Sequence, residues 1–409
     1  MRGHRVRRHR IGTRTFARLR GILLQYRSAA LRWAADRSFR WGVVGVGIVV
    51  MMLGSVSIWA WWHTSIRGHK APMQAPAVLV HSDDRAVLTR AAPVAPVIRR
   101  WIDGQPLPEG TAQPFAVAVV VDNASEARPQ SGLSEAPIVV EVPVEGRRTR
   151  FVVFASLDGA LSELGPVRSA RPYLIGIARH FGVPLVHVGG SPEALTLFRD
   201  LRLFHVNQYY DPPFWRSRSR PAPFNVYTAV DRLAAFVRAR AQEQWKRQPL
   251  PLLPYVESVP STQGSVAAQL RITYSAAHVV EWRYDAERAV YVRSQDGRPH
   301  RDAAGHSIEA VNVLVLEVRS RVLDAMGRLR IPDLDPRDRT AGDGGKRTAI
   351  VMTRGRRVDG FWNWHAEQNA DPPSAARIRF RPSVPSDAPT VLQVGNTWIE
   401  IVDQGTAVQ

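Results

Sequence analysis

The hydrophobic pattern divides the chain into one long apolar segment near the N terminus and many short ones after residue 100. The first short segment, 115–122, is continuously apolar, as expected for a strand buried on both faces. Other short segments alternate with stretches whose apolar residues recur every three or four positions, which is helical spacing. Strands are predicted over 138–144, 149–154 and 185–188, and helices over 171–181, 191–201 and 228–245. This mixture predicts an α/β first domain, residues 100–246.

A second domain is predicted over 265–409, after a stretch at 246–264 that is rich in proline. Its apolar segments are short and are separated by glycines, as hairpin turns require. Strands are predicted over 270–274, 279–284, 289–293, 311–318, 348–353, 356–364, 376–380 and 397–402. The sequence therefore predicts an α+β fold, with a mixed α/β first domain followed by a mostly β second domain.

The long apolar segment, 41–62, has 22 residues and no charge, which is enough to cross a bilayer. Tryptophans stand at both of its ends, where their rings favour the membrane interface. A cleaved signal peptide is the alternative, but its apolar region is usually shorter and small residues precede the cut. A buried core helix is the other alternative. We predict a transmembrane helix over 41–63, a cytoplasmic arm over 1–40 and a spacer rich in proline and alanine over 64–99.

More than half of the net positive charge lies in the arm. Residues 1–40 contain twelve arginines and one acid, which gives +11 of the chain's formal +19. The positive-inside rule places this arm in the cytoplasm and the bulk of the chain outside. The arm is predicted to be either an amphipathic helix on the inner leaflet or a flexible segment that only sets topology. Because it adjoins a membrane span, the charge does not indicate a nucleic-acid partner. The chain contains no cysteine, which excludes disulfides and thiolate chemistry.

The segment 165–173, GPVRSARPY, is the main candidate for a binding site. Arg168 and Arg171 stand three residues apart at the start of a predicted helix. Two guanidinium groups beside free backbone N–H groups would bind a phosphate or carboxylate. The alternative is that both arginines pair with acids of the same domain, such as Asp122, Glu141, Glu145 or Asp158.

Three further sites follow predicted strands. Asp122 and Asn123 end the first strand, where ligands often bind in α/β sheets, although an Asp-Asn pair can simply close a turn. Arg128 lies in the polar loop that comes next. His187 lies in an apolar strand, where a core histidine is more common than a ligand. Ser191 precedes a proline and is expected to be a helix N-cap rather than a nucleophile.

Several of these segments together resemble the YerB family of bacterial envelope proteins, which have paired N- and C-terminal domains of unknown function. The matching segments are 121–151, 165–173, 186–195 and 222–228 in the first domain, and 279–293, 310–318 and 394–402 in the second. The resemblance implies a membrane-attached protein outside the cytoplasm and no established reaction. Known members resemble lipoproteins anchored through a cysteine, which this chain lacks. Phe224 stands where the family pattern is expected to have a histidine.

The leading functional hypothesis is a membrane-anchored, extracytoplasmic protein that binds or regulates cell-wall machinery. Its expected partners are the cytoplasmic membrane and cell-wall synthesis proteins or an envelope glycan. The alternative is an enzyme or receptor for an anionic envelope substrate, such as a phosphate-bearing lipid-linked glycan, held by Arg168 and Arg171. The chain has no nucleotide, zinc or calcium motif, so no metal or cofactor is expected.

Overall fold

The structure is a computed structural model that describes residues 97–240, 251–337, 347–365, 377–386 and 388–409. The predicted arm, transmembrane helix and most of the spacer lie outside these residues. Within them, no helix is both long enough and apolar enough to span a bilayer. The described residues belong to one compact unit, Ala95–Gln409.

The N-terminal half confirms the predicted mixture of strands and helices. In chain order it contains β1 (Ala116–Asp122), β2 (Ile138–Val144), β3 (Arg148–Ser156), α1 (Pro172–His180), β4 (Leu185–His187), α2 (Pro192–Asp200), β5 (His205–Asn207), β6 (Phe214–Arg216), β7 (Val226–Thr228) and α3 (Val230–Arg240). Ser191 is the N-cap of α2, as predicted, and its side chain accepts a hydrogen bond from the Ala194 amide at 3.3 Å.

The C-terminal half is mostly β, also as predicted. It contains β8 (Tyr255–Val256), β9 (Ser265–Val266), β10 (Gln269–Ser275), β11 (His278–Asp285), β12 (Val290–Gln295), β13 (Arg298–Pro299), β14 (Glu309–Ala310), β15 (Asn312–Val318), β16 (Arg321–Val322), β17 (Leu329–Arg330), β18 (Arg347–Thr353), β19 (Arg356–His365), β20 (Arg377–Pro382), β21 (Leu392–Gln393), β22 (Thr397–Asp403) and β23 (Ala407–Val408). Short 3₁₀ turns cover Ser125–Ala127, Glu145–Arg147 and Pro332–Leu334.

One eleven-stranded sheet runs through both halves in the order β20-β19-β18-β15-β22-β2-β3-β1-β4-β5, with β9 beside β19. The two halves meet where β22 pairs with β2 in parallel, and this pairing places Glu400 opposite Glu141. Because β1 is buried on both faces, alternate residues contribute to two separate cores. The helices α1 and α2 cover one face of this sheet.

The other face is covered by α3 and by a second, six-stranded sheet. That sheet has the order β13-β12-β11-β10-β23, with β14 beside β12. The inward-facing residues of β12 include Arg293 and Gln295, both of which are buried. Polar side chains therefore reach the space between the two sheets at the join between the halves.

Candidate functional site

The first predicted site lies at the carboxyl edge, a name we use for the common end of β1, β4 and β5. These three strands are parallel neighbours, so Asp122, His187 and Asn207 end them at the same side of the sheet. Residues 164–170 run across this edge, with the Arg168 amide bonded to the Val120 carbonyl at 2.8 Å. Parallel α/β sheets commonly bind ligands at such an edge.

Asp122 and Arg168 form an ion pair at the carboxyl edge, in which the Arg168 Nε donates to Asp122 Oδ2. The other Asp122 oxygen accepts the Ala124 amide at 2.8 Å. The Arg168 guanidinium lies over the Phe224 ring, 5.2 Å from its centre. Phe224, at the position where a family histidine is expected from the sequence, contacts Arg168 through its ring, and a phenylalanine has no acid–base group.

Arg171 belongs to a different ion pair, with Glu145. Its Nε and Nη2 donate to the two Glu145 oxygens, and its Nη1 donates to the Ala170 carbonyl at 2.8 Å. Arg150 also donates to Glu145, at 2.9 Å. Burial opposes ionisation of Glu145, but Arg150 and Arg171 outweigh it and lower its pKa to about 2. Both arginines of the GPVRSARPY segment thus form ion pairs with acids named in the alternative interpretation.

Arg128 and Asn123 connect the two halves of the chain. Arg128 Nη1 donates to Asp296 at 2.6 Å, and its Nη2 donates to the Asn123 carbonyl at 2.9 Å. The Asn123 side chain donates to Glu141 at 3.0 Å and accepts a hydrogen bond from Gln295 at 3.1 Å. These two predicted site residues therefore contribute to the contact between the sheets.

His187 is completely buried at the end of β4. Its Nδ1 donates to the Gly189 carbonyl at 2.6 Å, so its Nε2 accepts from His205 Nδ1 at 2.9 Å. Its ring stacks on Phe198. Burial, together with the neighbouring His205, lowers the pKa of His187 to about 3 and keeps the ring neutral. These contacts are those of a core histidine.

A loop rich in arginine and tyrosine borders the carboxyl edge. Tyr209 and Tyr210 follow β5, and their exposed fractions are 65% and 84%. A Cβ at Gly189 would come within 2.7 Å of the Tyr209 ring, so this ring lies directly on the glycine. Arg216 donates to Gln208 at 3.2 Å and to Asn225 at 3.0 Å. Exposed tyrosines beside arginines form a surface suited to an anionic ligand.

A fully buried polar cluster at the join between the halves was not predicted from the sequence. We call it the seam cluster, and its central residues are Glu141, Arg293 and Glu400. Arg293 Nη2 donates to Glu141, and its Nε lies 3.8 Å from Glu400 Oε1. The Arg293 guanidinium lies 5.0 Å from the Trp398 ring centre. One cation therefore lies between two carboxyl groups from neighbouring strands.

The protonation states within the seam cluster differ. Burial opposes ionisation of Glu141, but Arg293 and His278 outweigh it and lower its pKa. Burial and the adjacent Glu141 raise the pKa of Glu400 to about 8. His278 donates from Nε2 to Glu141 at 2.8 Å and faces Asp296 through Nδ1 at 3.2 Å. Burial opposes its charge, yet Glu141 outweighs this effect and raises the pKa of His278.

A charged residue within an apolar strand is the sequence signal for this cluster. Glu141 interrupts the apolar strand β2, and Glu400 interrupts β22 in the same way. Within the parts of the chain that the structure describes, no three His, Asp or Glu side chains are grouped so that they could hold a metal.

Comparisons with known proteins agree with this architecture. Residues 104–244 match the DUF3048 N-terminal domain and residues 270–399 match the DUF3048 C-terminal domain, both described as protein of unknown function. The "Putative lipoprotein YerB" of Bacillus subtilis is 30% identical over 296 residues, which cover 70% of this chain and 80% of that protein.

A crystal structure of the YerB protein from Bacillus subtilis is similar in fold, with a TM-score of 0.62 and 28% identity. The match covers 76% of this chain and 99% of the crystallised chain. The segments that resemble the YerB family in sequence thus lie within the two matched domains, except that the last segment, 394–402, extends three residues beyond the second match. The chain belongs to the YerB-like family, which is defined by the DUF3048 N- and C-terminal domains.

Proposed function

We propose that this chain is a membrane-associated, extracytoplasmic protein of the bacterial cell envelope that binds an anionic glycan at its carboxyl edge. The name of the B. subtilis relative, a lipoprotein, supports membrane association. The predicted apolar span at 41–62 would provide the attachment in this chain, which has no cysteine for a lipid anchor. The glycan would connect the protein to cell-wall machinery.

The observation that carries the proposal is the exposure of Tyr209 and Tyr210 at the end of β5, in a loop where the preceding Gln208 accepts a hydrogen bond from Arg216 at 3.2 Å. Flat, exposed aromatic rings stack on sugar rings, and guanidinium groups bind phosphate or carboxylate with charge-assisted hydrogen bonds. All three side-chain nitrogens of Arg171 donate to Glu145 or Ala170. The arginines proposed to contact the anion are therefore Arg168, Arg216 and Arg218.

The arrangement favours binding over catalysis. Both Asp122 oxygens are already engaged, by Arg168 and by the Ala124 amide. His187 is buried, and both of its ring nitrogens are hydrogen-bonded within the protein. A general base has to reach its substrate, and these two groups are held by internal contacts instead.

Co-sedimentation with purified cell-wall sacculi tests this proposal, with the full chain in detergent and sacculi prepared with or without their anionic polymers. Tyr210 follows β5, and Arg218 lies two residues after Arg216 at the end of β6; both side chains are exposed. The test variant replaces them as Tyr210→Ser and Arg218→Ala. We expect the double variant to bind about tenfold to hundredfold more weakly, as for the loss of one charge-assisted hydrogen bond and a stacking contact.

Arg199→Ala is the matched control, because Arg199 is an exposed arginine near the far end of α2. It should bind like the parent chain. Equal binding by the double variant and the parent, or equal binding to both sacculus preparations, would contradict the proposal.

A further inference from the structure

The hairpin formed by β16 and β17 carries an exposed apolar tip. Val322, Leu323 and Met326 have exposed fractions of 64%, 49% and 82%. Single exposed apolar side chains are ordinary on protein surfaces, but three within five residues of one turn form a patch.

The turn that carries these side chains is well ordered by internal hydrogen bonds. The Leu323 amide bonds to the Arg328 carbonyl at 2.7 Å, and Asp324 accepts the amides of Met326 and Arg328 at 3.0 and 3.2 Å. At the base, Leu329 packs against the core. The apolar tip is therefore held in position by its own turn and by the fold.

Basic residues surround the tip. Residues 319–330 contain four arginines and one acid, a formal charge of +3. Arg319 pairs with Asp333, and Arg328 pairs with Asp324 and Glu193, whereas Arg321 is exposed beside the tip. Apolar side chains next to arginines are typical of protein segments that lie in the headgroup region of anionic bilayers. A dry protein interface would instead favour an apolar patch with few charges at its centre.

The hairpin lies at the same end of the sheet's strands as the carboxyl edge. It follows β15, which runs parallel to β22, and β22 is parallel to β2. Since β2 and β1 both pair antiparallel with β3, all of these strands point the same way. Arg328 also contacts Glu193, in the first turn of α2, at 3.3 Å.

We propose that the 322–326 tip is a bilayer contact. Val322, Leu323 and Met326 enter the headgroup region of an anionic lipid surface, and the exposed Arg321 contacts a lipid phosphate. This contact turns the carboxyl edge toward the membrane, where lipid-attached envelope glycans lie. The proposal stands on the hairpin alone and does not require that the edge binds a glycan.

Site-specific fluorescence tests this contact. Because the chain has no cysteine, Met326→Cys provides one labelling site, which a polarity-sensitive dye can occupy. The full chain is placed in nanodiscs of phosphatidylcholine, with or without phosphatidylglycerol. We expect a blue shift of the emission and a loss of quenching by aqueous iodide only in the anionic discs. Val384→Cys, at an equally exposed apolar position after β20, is the control and should stay quenched.

Equal quenching at positions 326 and 384 in both kinds of disc would overturn the proposal. Equal protection in neutral and anionic discs would overturn the assignment to an anionic surface. Protection that requires added envelope proteins would assign the tip to a protein partner and would also overturn it. Sacculus binding is measured separately, so failure of the glycan proposal leaves this result unchanged.

Discussion

Replacing Arg293 by methionine is the most direct test of how the seam cluster holds the two halves together. Arg293 is fully buried, as are Glu141 and Glu400 on adjacent strands. Methionine retains much of the side-chain length and its apolar contacts with Trp398. The substitution therefore removes a positive charge and its hydrogen bonds while it leaves most of the packing in place.

The expected cost follows from the charges left behind. Removing one partner of a buried ion pair typically costs about 3–5 kcal/mol, because the remaining charge is uncompensated. His278 still donates to Glu141 in the variant, and the raised pKa of Glu400 leaves that group largely protonated at neutral pH. We therefore expect a loss near the lower limit, about 3 kcal/mol in the free energy of unfolding.

Urea denaturation of the full chain at pH 7, followed by tryptophan fluorescence, measures this loss. Arg283→Met is the matched control, since Arg283 lies on the neighbouring strand β11 and is exposed. Its effect should stay within about 0.5 kcal/mol. The double variant Arg293→Met/Glu141→Gln should lose less than the two single losses added together, by about 1 kcal/mol or more.

Two results would refute this account of the seam cluster. One is a loss below about 1 kcal/mol for Arg293→Met, which is the size of an ordinary hydrogen bond. The other is strict additivity in the double variant, which would mean that the cation and the carboxylate do not interact.

Three other predictions concern the seam cluster, the Glu145 ion pair and helix α1. The pKa of Glu400 is raised from 4.5 to about 8, so the stabilisation from its protonated form is fully present below about pH 4.5 and is lost as the pH rises through about 8. In Glu400→Gln, the urea midpoint should therefore fall less between these pH values than in the parent chain, and an equal fall would contradict the prediction. The pKa of Glu145 is lowered to about 2, so Glu145→Gln should cost about 1 kcal/mol at pH 7, and that difference should shrink as the pH falls from about 4.5 toward 2. A Cβ at Gly176 would lie 1.7 Å from the Leu334 carbonyl oxygen. Gly176→Ala should therefore lower the free energy of unfolding, measured by thermal unfolding, by about 1–3 kcal/mol or more. A variant as stable as the parent would refute this close contact.

The local elements could be predicted because their signals are local. A continuous apolar run marked β1, a mostly apolar run marked β2, and the Ser-Pro-Glu pattern marked the start of α2. Apolar periodicity depends only on neighbouring residues, so one sequence is sufficient to locate strands and helices. The predicted order, a mixed first half followed by a mostly β second half, holds in the structure.

The pairing between β2 and β22 could not be predicted in this way. These strands are about 250 residues apart, and no local pattern specifies which strand edges meet. For the same reason, the sequence left open which of the candidate residues lie together and which acids the arginines pair with. In the structure, Arg168 pairs with Asp122, Arg171 pairs with Glu145, and Arg128 contacts Asp296.

The seam cluster explains why charged residues would be kept in the middle of this core. Two sheet edges rich in valine and isoleucine could pair in several registers, because apolar contacts discriminate poorly between them. Glu141 and Glu400 both meet Arg293 only in the observed register, and a shift of one strand by one residue would turn the glutamate of that strand to the opposite face of the sheet. An unpaired buried charge costs several kcal/mol, so the wrong register is strongly disfavoured even if the correct ion pair adds little net stability. We infer that the cluster aligns the two halves and thereby brings the carboxyl edge of the first half and the hairpin of the second to the same side of the protein.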